Sequence, residues 1–260
     1  MKNDISSNFK VIKIAILADT ASQLMTQVIK KCGQDSGVNF DIFEADYNQI
    51  ERQVFDSTSE LYSFQPEFVI IFHSAGKLLN NFYKLNNQQK LSFADNHIEK
   101  VASIYNTFIS QCNCKIIYFN FPEINDNVFG NYSNKVNISF TYQLRKINYE
   151  LMNVSQKFKN LFINDLCSLQ SQHGNNYIFD PRLHVNADMA LSVDSLPLVA
   201  KNTIDIIWAI SGRLKKCLIL DLDNTLWGGI IGDDGIENIQ IADLGIGKAF
   251  TELQLWIKQL

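Results

Sequence analysis

Residues Cys217–Gly235 read CLILDLDNTLWGGIIGDDG. The opening Cys217–Leu220 is an apolar run of the kind that forms a parallel strand buried on both faces. Two carboxylates follow, Asp221 and Asp223. On a strand, residues i and i+2 share a side, so both acids can face one reaction centre. The carboxyl end of a parallel strand is where open α/β sheets take their ligands. Thr225 continues the two-residue step. Trp227-Gly228-Gly229 and Gly232-Asp233-Asp234-Gly235 are glycine-rich punctuation, expected to make a turn and a short hairpin. A D-x-D pair alone also suits a buried strand that ends in solvated aspartates. The Thr and the glycine-rich continuation favour a functional reading.

Upstream, strand and helix patterns alternate. Lys10–Ala18, Phe40–Ala45, Phe68–Phe72 (FVIIF), Lys115–Phe119 (KIIYF) and Leu161–Asp165 read as strands. Ser22–Lys31 and Asn48–Phe55 read as helices, and Leu78–Ser110 as a pair of helices. The clearest helix is Phe140–Phe158, where Phe140, Leu144, Ile147, Leu151, Val154 and Phe158 recur at steps of three and four. Residues 195–211 form another amphipathic helix closing at Gly212. This alternation implies a parallel sheet with helices on both faces. The predicted fold is α/β: a three-layer parallel-sheet sandwich over residues 1–212, then a second segment over 213–260 with one strand, a hairpin and the helix Lys248–Leu260.

The string D-L-D-N-T after an apolar strand resembles the first motif, D-x-D-x-[TV], of the haloacid-dehalogenase-like (HAD) phosphotransferases. The longer DLDNTLWGGIIGDDG is similar to the FkbH-like branch, HAD subfamily IIIC. The resemblance implies Asp221 as a nucleophile that takes a phosphoryl group as an aspartyl-phosphate. It implies Asp223 as general acid and base, and Mg²⁺ held by Asp221 and Asp223. Thr225 would tie down the loop, with Trp227, Gly228 and Gly229 beginning a flap that runs to Asp234. The HAD Rossmann-like domain would be incomplete here, since the family's remaining motifs have no counterpart before Leu260. The implied substrate is a phosphorylated small metabolite. In some relatives an acyl carrier protein is the partner, loaded with a glyceryl-type acyl group.

A second constellation lies in the front half. Asp19-Thr20 after the first strand, and Asp180 with His184 near the end of the domain, resemble the SGNH hydrolases, whose blocks are G-D-S and D-x-x-H. Ala18 stands in place of the Gly and Thr20 in place of the Ser, and Asp180 and His184 are one residue too far apart. An esterase using Thr20, Asp180 and His184 is one alternative, and a non-catalytic binding fragment is another. The plainer expectation is that Thr20 caps the helix near Ser22, that His184 sits in a surface loop, and that His73 is a hydrogen-bonded loop residue.

Composition bounds the rest. The chain has 260 residues, 46% hydrophobic and 19% charged, with a formal net charge of −4. An acidic balance without a Lys/Arg cluster argues against nucleic acid as a partner. The only adjacent basic pair near the motif is Lys215-Lys216. No run approaches the length of a membrane span, and Met1–Lys13 lacks a signal-peptide pattern. Five Cys without C-x-x-C read as reduced thiols of a cytoplasmic protein. Cys112 and Cys114 have a spacing suited to neither zinc nor a disulfide.

Overall fold

The computed structural model describes residues 11–124 and 126–260. The chain divides into two compact units, Met1–Ser211 and Gly212–Leu260.

The first unit is built on five parallel strands in the order β2-β1-β3-β4-β5. These are β1 Val11–Ala18, β2 Asn39–Glu44, β3 Phe68–Phe72, β4 Lys115–Phe119 and β5 Leu161–Asn164. Helix α1 (Gln23–Asp35) links β1 to β2, and α2 (Ile50–Phe55) and α3 (Glu60–Phe64) lead into β3. Three helices, α4 (Ala75–Tyr83), α5 (Asn87–Leu91) and α6 (Phe93–Gln111), join β3 to β4. Helix α7 (Phe140–Lys157) precedes β5. Then come α8 (Leu166–His173), α9 (Asn175–Ile178), α10 (Pro181–Ala187) and α11 (Leu196–Ile210).

The continuous apolar strands follow from burial on both faces. Along β1, Ile12, Ile14, Ile16 and Ala18 enter one core, while Ala15 and Leu17 enter the other. The same division separates Phe68, Ile70 and Phe72 from Val69 and Ile71 on β3. A strand covered on one face would need polar residues at every second position. Here each of the Ile, Leu, Val and Phe side chains contributes about 1.5–3 kcal/mol gross on burial. Helix α7 buries Phe140, Leu144, Ile147, Leu151 and Val154 as its periodicity requires, and Phe158 stacks on Tyr105 with ring centroids 4.0 Å apart.

Several expectations shift in detail. The region 78–110 contains three helices rather than two, because Asn86 opens a separate short helix through a capping box with Gln89. Residue Lys10 of the first predicted strand, and most of the Met1–Lys13 segment, lie outside the described residues. Cys112 and Cys114 are free thiols with their Sγ atoms 2.9 Å apart. The hydrogen bond with Cys114 pulls the Cys112 thiol down to about 7. Among the described residues, no helix is long and apolar enough to cross a membrane.

The second unit departs most from expectation. Cys217–Leu220 forms no strand and pairs with no strand among the described residues. Ile219 is 89% exposed. A strand exists only through its neighbours' backbone groups, and this apolar run has none. The expected hairpin is instead an antiparallel bridge between Gly228 and Gln240 around a single helical turn, α12 (Ile231–Asp234). Helix α13 spans Ile246–Ile257.

Candidate functional site

In the second unit the D-x-D segment is a hydrogen-bonded loop. The Asp223 Oδ1 accepts from Trp227 Nε1 at 3.0 Å and from the Ile231 backbone N–H at 3.2 Å. Asn224 takes a left-handed backbone (φ 53°), its N–H donates to Gly229 O at 3.2 Å, and its Oδ1 accepts the Gly229 N–H at 2.9 Å. Gly228 has to be a glycine, because a Cβ there would sit 2.6 Å from Gln240 Oε1 and 2.9 Å from Phe250. Gly229 has φ +99°, a conformation that favours glycine. The Thr225 N–H donates to Leu222 O at 3.2 Å, closing the turn. Asp221 is treated differently. It is exposed, and among the described residues its Oδ1 meets only the adjacent Leu222 N–H, at 2.9 Å. One carboxylate is therefore anchored and the other left available. The period-two argument that put them on one side of a strand does not apply, since no strand forms.

These residues do not complete a Mg²⁺ site. Mg²⁺ demands near-octahedral oxygen ligation. Among the described residues, no three His, Cys, Asp or Glu side chains gather to hold a metal. One oxygen of Asp223 is already taken by two N–H groups.

In the first unit, the candidate residues sit above the carboxyl ends of the strands but in separate arrangements. The Thr20 side chain is 2% exposed, and its hydroxyl donates to the backbone oxygen of Asp188. It does not cap α1. The N-cap is Ser22, which makes no capping bond because its hydroxyl donates to Glu44 at 2.6 Å. Asp180 caps α10, accepting from the Arg182 and Leu183 N–H groups. His184 lies on α10 rather than in a loop, packed on Phe179, with Gly76 beneath its ring. No side-chain hydrogen bond among the described residues joins Thr20, Asp180 and His184; Asp180 and His184 share only a backbone bond of 3.0 Å within α10. His184 lines a cavity of about 500 Å³ whose walls include Leu79, Ile124, Leu166, Ile178 and Leu191. His73 is hydrogen-bonded, as expected, through Nδ1 to the Tyr118 hydroxyl at 2.9 Å.

Sequence reading missed the charged cluster beside Thr20. Lys77 reaches the Asp19 backbone oxygen and the Tyr47 hydroxyl, and pairs with Asp188 at 3.1 Å. Burial raises the Asp188 carboxyl, but the bonds from Tyr47 and Lys77 outweigh it and hold the group below its ordinary value. Desolvation pushes Asp19 up to about 6, against the opposing Ser74 N–H and Lys77 charge. No local signal in the sequence could have found this cluster, since Asp188 lies 141 positions from Tyr47.

Comparison with known proteins identifies the family. The family model for the FkbH N-terminal domain matches residues 13–208. The chain belongs to the FkbH family. It is similar to a crystal structure of the N-terminal part of a Bacteroides fragilis protein that contains a phosphatase domain, complexed with Mg. Identity is 49% and the TM-score 0.91, over 97% of this chain and 66% of that one. The FkbH-type chain thus spans slightly less than two thirds of that structure. The lipase/acylhydrolase of Enterococcus faecalis shares the fold, with TM-score 0.50 and 14% identity over 80% of this chain and 100% of that one. No curated protein matches the chain.

Proposed function

We infer that this FkbH-family chain carries the nucleophilic segment of a HAD subfamily IIIC phosphotransferase acting on a phosphorylated small metabolite. The observation that carries the reading is the unequal treatment of the two carboxylates. Asp223 is held by Trp227 and Ile231, while Asp221 is exposed and free to attack. The 49% identical Bacteroides structure, which contains a phosphatase domain, supports it. In this reading an Asp221 carboxylate oxygen attacks phosphorus and the bond to the substrate oxygen breaks. The leaving oxygen takes a proton from Asp223. Asp223 then takes a proton from water as it attacks phosphorus. The aspartyl-phosphate bond breaks, releasing phosphate and restoring Asp221. Trp227 and Gly229 keep Asp223 and the flap in register. Mg²⁺ is the ion of the Bacteroides structure. No step is assigned to it here, because the donors present do not complete its site. Five free thiols fit a reducing, cytoplasmic setting. The esterase alternative gains nothing from the geometry, since the Thr20 proton is already committed to Asp188.

The test is phosphate release from p-nitrophenyl phosphate with added MgCl₂, measured on the complete gene product. Asp221→Asn is expected to abolish turnover and to prevent acid-stable phosphate labelling. Asp223→Asn is expected to slow turnover by about 10²–10⁴-fold. Turnover that survives Asp221→Asn would overturn the assignment.

A further inference from the structure

A second cavity, of about 480 Å³, opens over the carboxyl ends of β1 and β3, walled by α4 and α6. Its floor is Asp19, His73 and Ser74, and its walls carry Lys77, His97 and Lys100. None of these groups has a part in the chemistry at Asp221.

The hydrogen-bond ledger of this cavity selects the chemistry of an occupant. Both cations already have an anionic partner. An ammonium has three N–H groups, and Lys77 faces Asp19 O, the Tyr47 hydroxyl and the Asp188 carboxylate. Lys100 is paired with Glu51. An anion entering here would meet the Asp19 carboxyl with neither lysine uncommitted.

The neutral groups are not spent. The Tyr118 hydroxyl sits 2.9 Å from His73 Nδ1 and 3.0 Å from His97 Nε2. It has one proton, so it donates to one imidazole and accepts from the other. Burial keeps both rings neutral, with the neighbouring charge of Lys100 adding to the effect; His97 is pressed down to about 4 and His73 well below its ordinary value. Whichever way the Tyr118 proton points, the remaining nitrogens, His73 Nε2 and His97 Nδ1, are one N–H donor and one lone-pair acceptor. No hydrogen bond among the described residues occupies either. The Asp19 Oδ1 accepts the Ser74 N–H at 2.8 Å, and its Oδ2 has no hydrogen-bond partner among the described residues.

We propose that this cavity binds a small neutral polyol or sugar. Each hydroxyl of such a ligand both donates and accepts, matching an imidazole pair that offers one of each and a carboxyl oxygen that accepts. Ile50, Leu78 and Phe93 supply an apolar wall for its C–H face. A cavity of this size lies within the range that holds small-molecule ligands.

The test uses the full chain with ¹⁵N-labelled histidine, reading the ring nitrogens by long-range ¹H–¹⁵N correlation. The chain has four His, so His173→Gln and His184→Gln assign the two signals outside the cavity. Glucose and glycerol are the neutral probes and glucose 6-phosphate is the anionic one. Saturable shifts of the His73 and His97 signals with a neutral probe are expected, with His173 and His184 unmoved. Glucose 6-phosphate should bind at least tenfold more weakly. Asp19→Asn should weaken the neutral probe several-fold while both cavity imidazoles keep their neutral tautomers. Signals unmoved by either neutral probe would mean that the cavity holds only water. Tighter binding of glucose 6-phosphate would make it an anion site. Either result would overturn the proposal.

Discussion

Asp19 is 9% exposed and ends β1 among groups that only partly compensate its charge. Its carboxyl titrates near 6 in the fold, against an ordinary value of 3.8. The direction of the linkage follows. A raised carboxyl penalises the folded state once ionised, so the cost is absent below about pH 4, grows between 4 and 6, and is complete above 6. A shift of about two units corresponds to on the order of 3 kcal/mol. Asp19→Asn keeps an acceptor for the Ser74 N–H and removes the charge. It is expected to stabilise the protein by about 2–3 kcal/mol at pH 7. Near pH 4 it should be close to neutral, where the wild-type carboxyl is itself protonated. Urea titrations of both proteins at several pH values measure the difference, and other titrating groups cancel in the comparison. A gain that does not change with pH would show that burial of the Asp19 charge is not the cause.

At the scale of elements, helix α7 shows what a correct local reading leaves out. Its apolar stripe is plain in the sequence, but its start is held by polar groups from elsewhere. Ser139 accepts the Tyr142 N–H at 3.1 Å and donates to Ser133 O at 2.7 Å. The buried Gln143 accepts the Ala94 N–H at 2.9 Å and donates to Asn137 O at 2.6 Å, tying α7 to the start of α6. Ser139→Ala should therefore cost about 0.5–2 kcal/mol, toward the upper end because two bonds are lost. Equilibrium denaturation should show this as a lower midpoint with an unchanged slope. Thr20 is the converse. Its type and position suit a helix cap, and the hydroxyl is drawn instead to the Asp188 backbone, 168 positions away.

At the scale of the molecule, the two units differ in how much they bury. Every residue of the two hydrophobic cores lies in the first unit. Among the described residues of the second, only Gly228 and Gly247 are buried. A polypeptide of residues 1–211 is therefore expected to fold alone and unfold in one cooperative transition. The amides of β1 and β3 should be the slowest to exchange, because those strands lie inside the sheet. A polypeptide of residues 212–260 should show no cooperative transition, having no core to lose. Circular dichroism melts and hydrogen exchange on the two pieces check both statements. A sharp melt of the shorter piece would contradict the burial argument.

What the sequence determined by itself is whatever a short window contains. FVIIF, KIIYF and the stripe of α7 gave the elements of the first unit and their parallel α/β class, because side-chain period reports how many faces an element buries. The internal bonding of D-L-D-N-T-L-W-G-G falls within such a window as well. The anchoring of Asp223 by Trp227 spans four residues, and the glycines answer to close neighbours. Tertiary structure alone decided the rest. CLIL has the composition of a strand, but pairing depends on a neighbour that no local pattern supplies. The His73–Tyr118–His97 chain, the spent charge of Lys77 and the raised carboxyl of Asp19 join residues 21 to 58 positions apart or more. Those contacts arise where the crossovers bring strand ends together, and their energies depend on desolvation, a property of the packed interior that no single window of sequence contains.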